Sequence, residues 1–101
     1  MLGNARLKPS ATTLSTLYTA AADCVISSIS ICNLGATATT FRVAVRPLGA
    51  AIDDSHYLYY DLPIDANDTF ILTGGVVLKN TDIVSVYSGN ANLSYNLFYT
   101  T

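Results

Sequence analysis

The chain has 101 residues, half of them apolar, with 12% charged residues and a formal net charge of −2. That is the material of one domain, and no apolar run is long enough to span a bilayer. The five basic residues, Arg6, Lys8, Arg42, Arg46 and Lys79, are scattered and cannot neutralise a run of phosphates, which excludes free nucleic acid as a main partner.

Residues 1–12, "MLGNARLKPSAT", lack the apolar core of a signal peptide, so the chain is expected to be made and kept in the cytosol. Pro9 makes this stretch an N-terminal arm or edge segment, and the domain is expected over 13–101. "TLSTLYT" (13–19) is compatible with a strand, and "AAAD" (20–23) is too short to stand as a helix and reads as a connection. "CVISSISICN" (24–33) is rich in β-branched residues. Ile29 and Ile31 share a face while Ile26 falls on the other, so a bulge near Ser27 and Ser28 is expected. Cys24 and Cys32 would lie about 26 Å apart along one extended strand, well beyond the roughly 7 Å a disulfide allows. They read as buried free thiols, and with a single distant His they make no zinc site.

"LGATAT" (34–39) is a turn region, and "TFRVAVR" (40–46) is the clearest strand. Phe41, Val43 and Val45 point one way; Thr40, Arg42, Ala44 and Arg46 point the other. "PLGAAIDDS" (47–55) is irregular. "HYLYYDLPI" (56–64) then places three tyrosines within four positions. In an extended chain Leu58, Tyr60, Leu62 and Ile64 share a face suited to the core, and Tyr57, Tyr59 and Asp61 share the other. "DANDTFILTGG" (65–75) opens as a turn, continues as a strand and breaks at Gly74 and Gly75. "VVLKNTD" (76–82) gives a short extended piece and a turn, "IVSVYS" (83–88) a strand, "GNAN" (89–92) a hairpin-like turn and "LSYNLFYT" (93–100) the last strand. About eight short strands with turn signals every eight to twelve residues predict an all-β, single-domain antiparallel sandwich, jelly-roll-like in form. A single sheet would leave one apolar face wet.

No catalytic, cofactor or metal site is expected. His56 has Asp53, Asp54 and Ser55 beside it, yet neighbours in one loop seldom meet in triad geometry. "DANDT" lacks the ligand count of a Ca²⁺ loop, and Asx turns explain its carboxylates. Gly74 and Gly75 precede neither Lys-Ser/Thr nor a helix, so they are no phosphate cradle. What remains is a set of interface candidates: Arg42 and Arg46 on the outward face of their strand, with Tyr57, Tyr59 and Asp61 as an aromatic ladder ending in a carboxylate. Tyr87, and either Tyr95 or Tyr99, would join it if their strands are adjacent. Such rings suit a protein interface, sugar stacking, or plain cross-strand packing within a monomer.

Glu is absent, and the charged fraction is far below the roughly 25% of an average soluble domain. Either the exterior is hydroxyl-rich and free, or neighbouring subunits cover part of it.

The segments "TLYTAAADCVISSISICN", "ATATTFRVAVRPLGAA" and "HYLYYDLPIDANDTFILTGGVVLKNTDIVSVYSGNANLSYNLF" resemble a group of small tailed-bacteriophage virion proteins, many from phages and prophages of cyanobacteria and other aquatic bacteria. The resemblance spans about residues 13–98, with "ATTFRVAVRP", "HYLYYDLPI" and "SGNANLSYNLF" its most specific parts; "TAAAD" departs from the "TVPAG"-like turn of the group. The resemblance implies no active-site residues. It implies a structural subunit of the virion, in the broad set of β-sandwich proteins that decorate heads or build tail and neck parts. Size, the sandwich pattern and the low surface charge then favour a capsid cement or decoration protein, expected as a homo-oligomer and specifically a trimer, with the major capsid protein or other virion subunits as partners. A neck, tail or baseplate part with the same fold is the alternative, and a carbohydrate-binding module a second one.

Overall fold

Alternating apolar side chains give each segment one face to bury, and nine strands close those faces against each other in two antiparallel sheets. The computed structural model describes residues 1–101. In chain order the strands are β1 (Leu2–Leu7), β2 (Ser15–Thr19), β3 (Cys24–Asn33), β4 (Thr39–Arg46), β5 (Tyr57–Ile64), β6 (Thr69–Leu72), β7 (Val76–Leu78), β8 (Ile83–Ser88) and β9 (Leu93–Thr100). Single 3-10 turns, Pro47–Gly49 and Asp54–His56, occupy the long β4–β5 loop. The stretch expected as an arm or edge segment supplies the ninth strand, since β1 pairs with β9 along the edge of the sheet.

One sheet has the order β1-β9-β3-β6, with β7 also on β3; the other has the order β2-β8-β4-β5. β6 pairs with Ile29–Cys32 and β7 with Cys24–Ile26, so together they act as one interrupted strand alongside β3. Gly75, at φ 68, makes the break. Counted that way the pairing is nested: β4 with β5, β3 with β6 and β7, β2 with β8, β1 with β9. The chain is a long two-stranded ribbon folded back at the β4–β5 loop and rolled into two sheets, a jelly-roll-like order.

The core lies between the sheets. Ile26, Ile29, Ile31, Leu93, Tyr95 and Leu97 face Phe41, Val43, Val84, Val86 and Ile64. The expected bulge in β3 is there: the register with β9 slips between Ile26 and Ser28, and this turns Ile26 inward beside Ile29 and Ile31. Each such aliphatic side chain, fully buried, stabilises by about 1.5–3 kcal/mol before entropy is counted. Cys24 is buried and Cys32 half-buried, both free.

Buried polar groups are paired, and they position the loops. Asn33 Nδ2 donates to the Thr37 and Asp65 carbonyls at 2.9 and 3.1 Å, and its Oδ1 accepts from Gly35 N–H at 3.0 Å. Asp82 accepts from the Leu48 and Lys79 N–H groups, both at 2.9 Å, and so anchors the β4–β5 loop to the β7–β8 turn. Where β1 crosses β9, Gly3 leaves room for the Tyr99 ring, which stacks on Tyr18 at 4.6 Å between centroids; a Cβ on residue 3 would collide with that ring.

Candidate functional site

Chemistry-bearing side chains gather on the outer face of the four-stranded sheet, where β4 lies between β8 and β5. The register sets Arg42 opposite Tyr87 and Ala44 opposite Ser85. On the other side, the β4–β5 pairing slips twice. Phe41 faces Leu62 and Val43 faces Tyr59, so β5 holds three steps where β4 holds two. The extra residue is taken up at Tyr60 and Asp61, with Asp61 at φ 52, a bulge.

That bulge corrects the expected faces of β5. Leu62 and Ile64 point inward as expected, but Tyr59 joins them, 5.3 Å from Phe70 and 6.2 Å from Phe41 between ring centroids. Tyr60 is turned out instead, 58% exposed, and Leu58 is exposed with it. Tyr57 is half-buried and meets Tyr60 edge-on at 4.9 Å.

Arg42 is held between two rings. Its Cζ lies 4.1 Å from the Tyr60 centroid and 4.2 Å from that of Tyr87. Its Nε donates to Asp61 Oδ1 at 2.6 Å and Nη2 donates to Oδ2 at 3.3 Å. This fork-on-carboxylate bond holds the guanidinium more firmly protonated than usual. Arg46 folds down: Nε donates to Ser85 Oγ and Nη1 to the Ala50 carbonyl, both at 3.1 Å. The structure therefore brings Arg42, Tyr57 and Asp61 together, adds Tyr60 and Tyr87, ties Arg46 to the neighbouring loop, and moves Tyr59 to the core side. Tyr95 and Tyr99 belong to the other sheet and their rings do not join the cluster: Tyr95 is buried in the core, and Tyr99 stacks on Tyr18. Strict alternation concealed Tyr60. The signal against alternation was Asp61 within a strand, a residue that tolerates the left-handed conformation, with Pro63 two positions on.

Beside the rings, Asp54, Tyr57 and Tyr60 line a shallow cleft of about 460 Å³. Aromatic faces and one carboxylate suit contact with a polar, ring-shaped or protein ligand. The imidazole is engaged in a cap: His56 Nδ1 accepts from Asp53 N–H at 3.1 Å, while Asp53 Oδ2 accepts from both the N–H and hydroxyl of Ser55. Those bonds from Ser55 hold the Asp53 carboxyl below its ordinary range. Asp65 and Asp68 serve a turn, with Asp68 N–H donating to the Asp65 carbonyl at 3.2 Å. No three His, Cys, Asp or Glu side chains converge as a metal site would require.

No family model matches the sequence, and no curated protein does. Among solved structures, the fold is similar to a chain in the acid-stable capsid structure of Helicobacter pylori bacteriophage KHP30, with a TM-score of 0.60 and 15% sequence identity. The match covers 98% of this chain and 85% of the other. At that identity the likeness is one of fold, and it takes in the sandwich from β1 to β9.

Proposed function

We propose that this protein is a non-enzymatic structural subunit of a bacteriophage virion, and specifically a capsid cement or decoration protein that binds the assembled head as a homo-oligomer. The observation that carries the reading is the end-to-end fold match to a chain of a phage capsid structure. The outer sheet faces support it: one is nearly free of charge, and the other carries aromatic rings around a neutralised arginine. A cement protein stabilises a shell because it binds the lattice and not the free subunits, which is linkage by mass action.

Quantitative mass spectrometry of purified virions tests this reading. Copies on the order of hundreds per particle support cement, and about six to twelve support a neck, tail or baseplate ring. Absence from every particle of the phage that encodes the chain overturns both.

The cleft of Asp54, Tyr57 and Tyr60 favours one further reading, a carbohydrate-binding module. Its stacking ring would be Tyr60, since Tyr59 faces the core. A glycan array with the folded protein and its Tyr60→Ala variant decides it: binding lost in the variant supports the module, and no binding to any glycan removes it.

A further inference from the structure

The outer face of the five-stranded sheet is apolar and nearly free of charge. Leu2, Val25, Ile71, Val77 and Phe98 all stand on it, each 41–81% exposed. The outward positions between them are Ser, Thr, Asn and the half-buried Cys32, and the single charged side chain on the face is Arg6, on the edge strand β1. The remaining charges sit on the opposite sheet, in the loops and at Lys8 beyond β1.

We infer that this face docks a second copy of the same chain, face to face about a two-fold axis that runs along β9. Three observations select that occupant. The first is relief. The register lines up Leu2, Thr100, Val25 and Val77 across four neighbouring strands. Shallow depressions flank Thr100 in that row: one of about 260 Å³ touches Leu2 and Phe98, the other of about 290 Å³ touches Val25 and Val77. Rotation about an axis along β9 exchanges the two sides, so Leu2 of each chain enters the Val25–Val77 depression of its mate. An isologous contact needs this self-complementarity.

The second is charge. The same rotation sets Arg6 opposite Ser30 of the mate, because both belong to the row of Asn96 on either side of β9. No like charges meet: Arg6 faces a neutral hydroxyl, and the charges that edge the Val25–Val77 depression, Asp23 and Lys79, already pair with each other at 3.7 Å. The third is size. With extents of 38 × 27 × 20 Å, a broad side of the protein supplies the roughly 800 Å² per partner of a standard interface. The inference does not depend on the virion reading and is tested on the purified chain alone.

Sedimentation velocity over a concentration series is expected to show a reversible rise to the two-copy mass, with Kd on the order of 1–100 µM. Val77→Lys and Leu2→Lys each place a charge on the face and are expected to weaken association at least about tenfold, while Leu58→Lys on the other sheet leaves it unchanged. Both positions are exposed, so the fold is kept, and circular dichroism verifies that. Thr100 lies beside the axis, so Thr100→Cys in a Cys32→Ser background is expected to cross-link to its own mate on oxidation, and Leu58→Cys in that background is not. A one-copy mass at every concentration overturns the inference. So does a three-copy mass, or a pair broken by Leu58→Lys and not by Val77→Lys. A chain that is single in solution but loses attachment to phage shells in Val77→Lys gives the face to the shell instead.

Discussion

Tyr95 carries a polar tip into the apolar centre of the sandwich. Its hydroxyl lies 2.8 Å from Ser88 Oγ and donates to the Tyr87 carbonyl at 3.2 Å. Tyr95→Phe keeps the ring and strands the buried Ser88 hydroxyl, so it is expected to cost about 1–3 kcal/mol in urea unfolding at neutral pH. Burial also pushes the Tyr95 phenol up to about 12 from 10.0. A group whose folded pKa is raised stabilises fully below its unfolded value, and that contribution is lost as pH rises toward the folded one. Stability should therefore fall between pH 10 and 12, by about 1.4 kcal/mol per pH unit from this residue. In Tyr95→Phe that part of the slope disappears. A component from Tyr18 remains, because burial and the neighbouring Tyr99 phenol raise that group as well. Equal slopes in the two proteins would contradict the assignment.

At the level of elements, β5 shows what a strand written with Asp and Pro does. Asp61 holds a left-handed backbone and at the same time grips Arg42. Asp61→Ala loses the grip and keeps the strained φ, so a cost of about 1–2 kcal/mol is expected. Asp61→Gly loses the same grip but relaxes the backbone and should cost less, and Asp61→Asn, which tolerates that φ, should cost least. Denaturant midpoints of the three variants measure this; Gly as the worst of them would mean that the ion pair and not the backbone holds the bulge. The strands themselves were legible because period-two alternation is a local signal, and β8 and β9 begin and end where the sequence places them. The bulge in β3 was legible too, since Ile26 is out of phase with two other isoleucines and burial demands a correction. The bulge in β5 was not. There both phases offer apolar or aromatic side chains, and only the partner strand decides which ring turns out. The Arg42 clasp was hidden for the same reason, because Tyr60 and Tyr87 reach it from two different strands.

On the scale of the whole molecule, scarcity of charge sets the behaviour. The two salt bridges, Arg42–Asp61 and Lys79–Asp23, are solvent-facing or partly so. Raising NaCl from about 0.01 M to about 0.5 M should therefore change stability by less than about 1 kcal/mol, as read from urea midpoints; a larger fall would reveal long-range attractions that these pairs do not supply. The nested ribbon has its own consequence in the cell. During synthesis the hairpin tip of β4 and β5 leaves the ribosome together, but β1 has to wait for β9, the final strand of this chain. At about 5–20 residues per second that delay is several seconds or more, and such remote pairings are slow to form even once both partners are present. The newborn amino-terminal ribbon thus travels unzipped, with Leu2 and its neighbours open to chaperones or to another nascent copy on the same message.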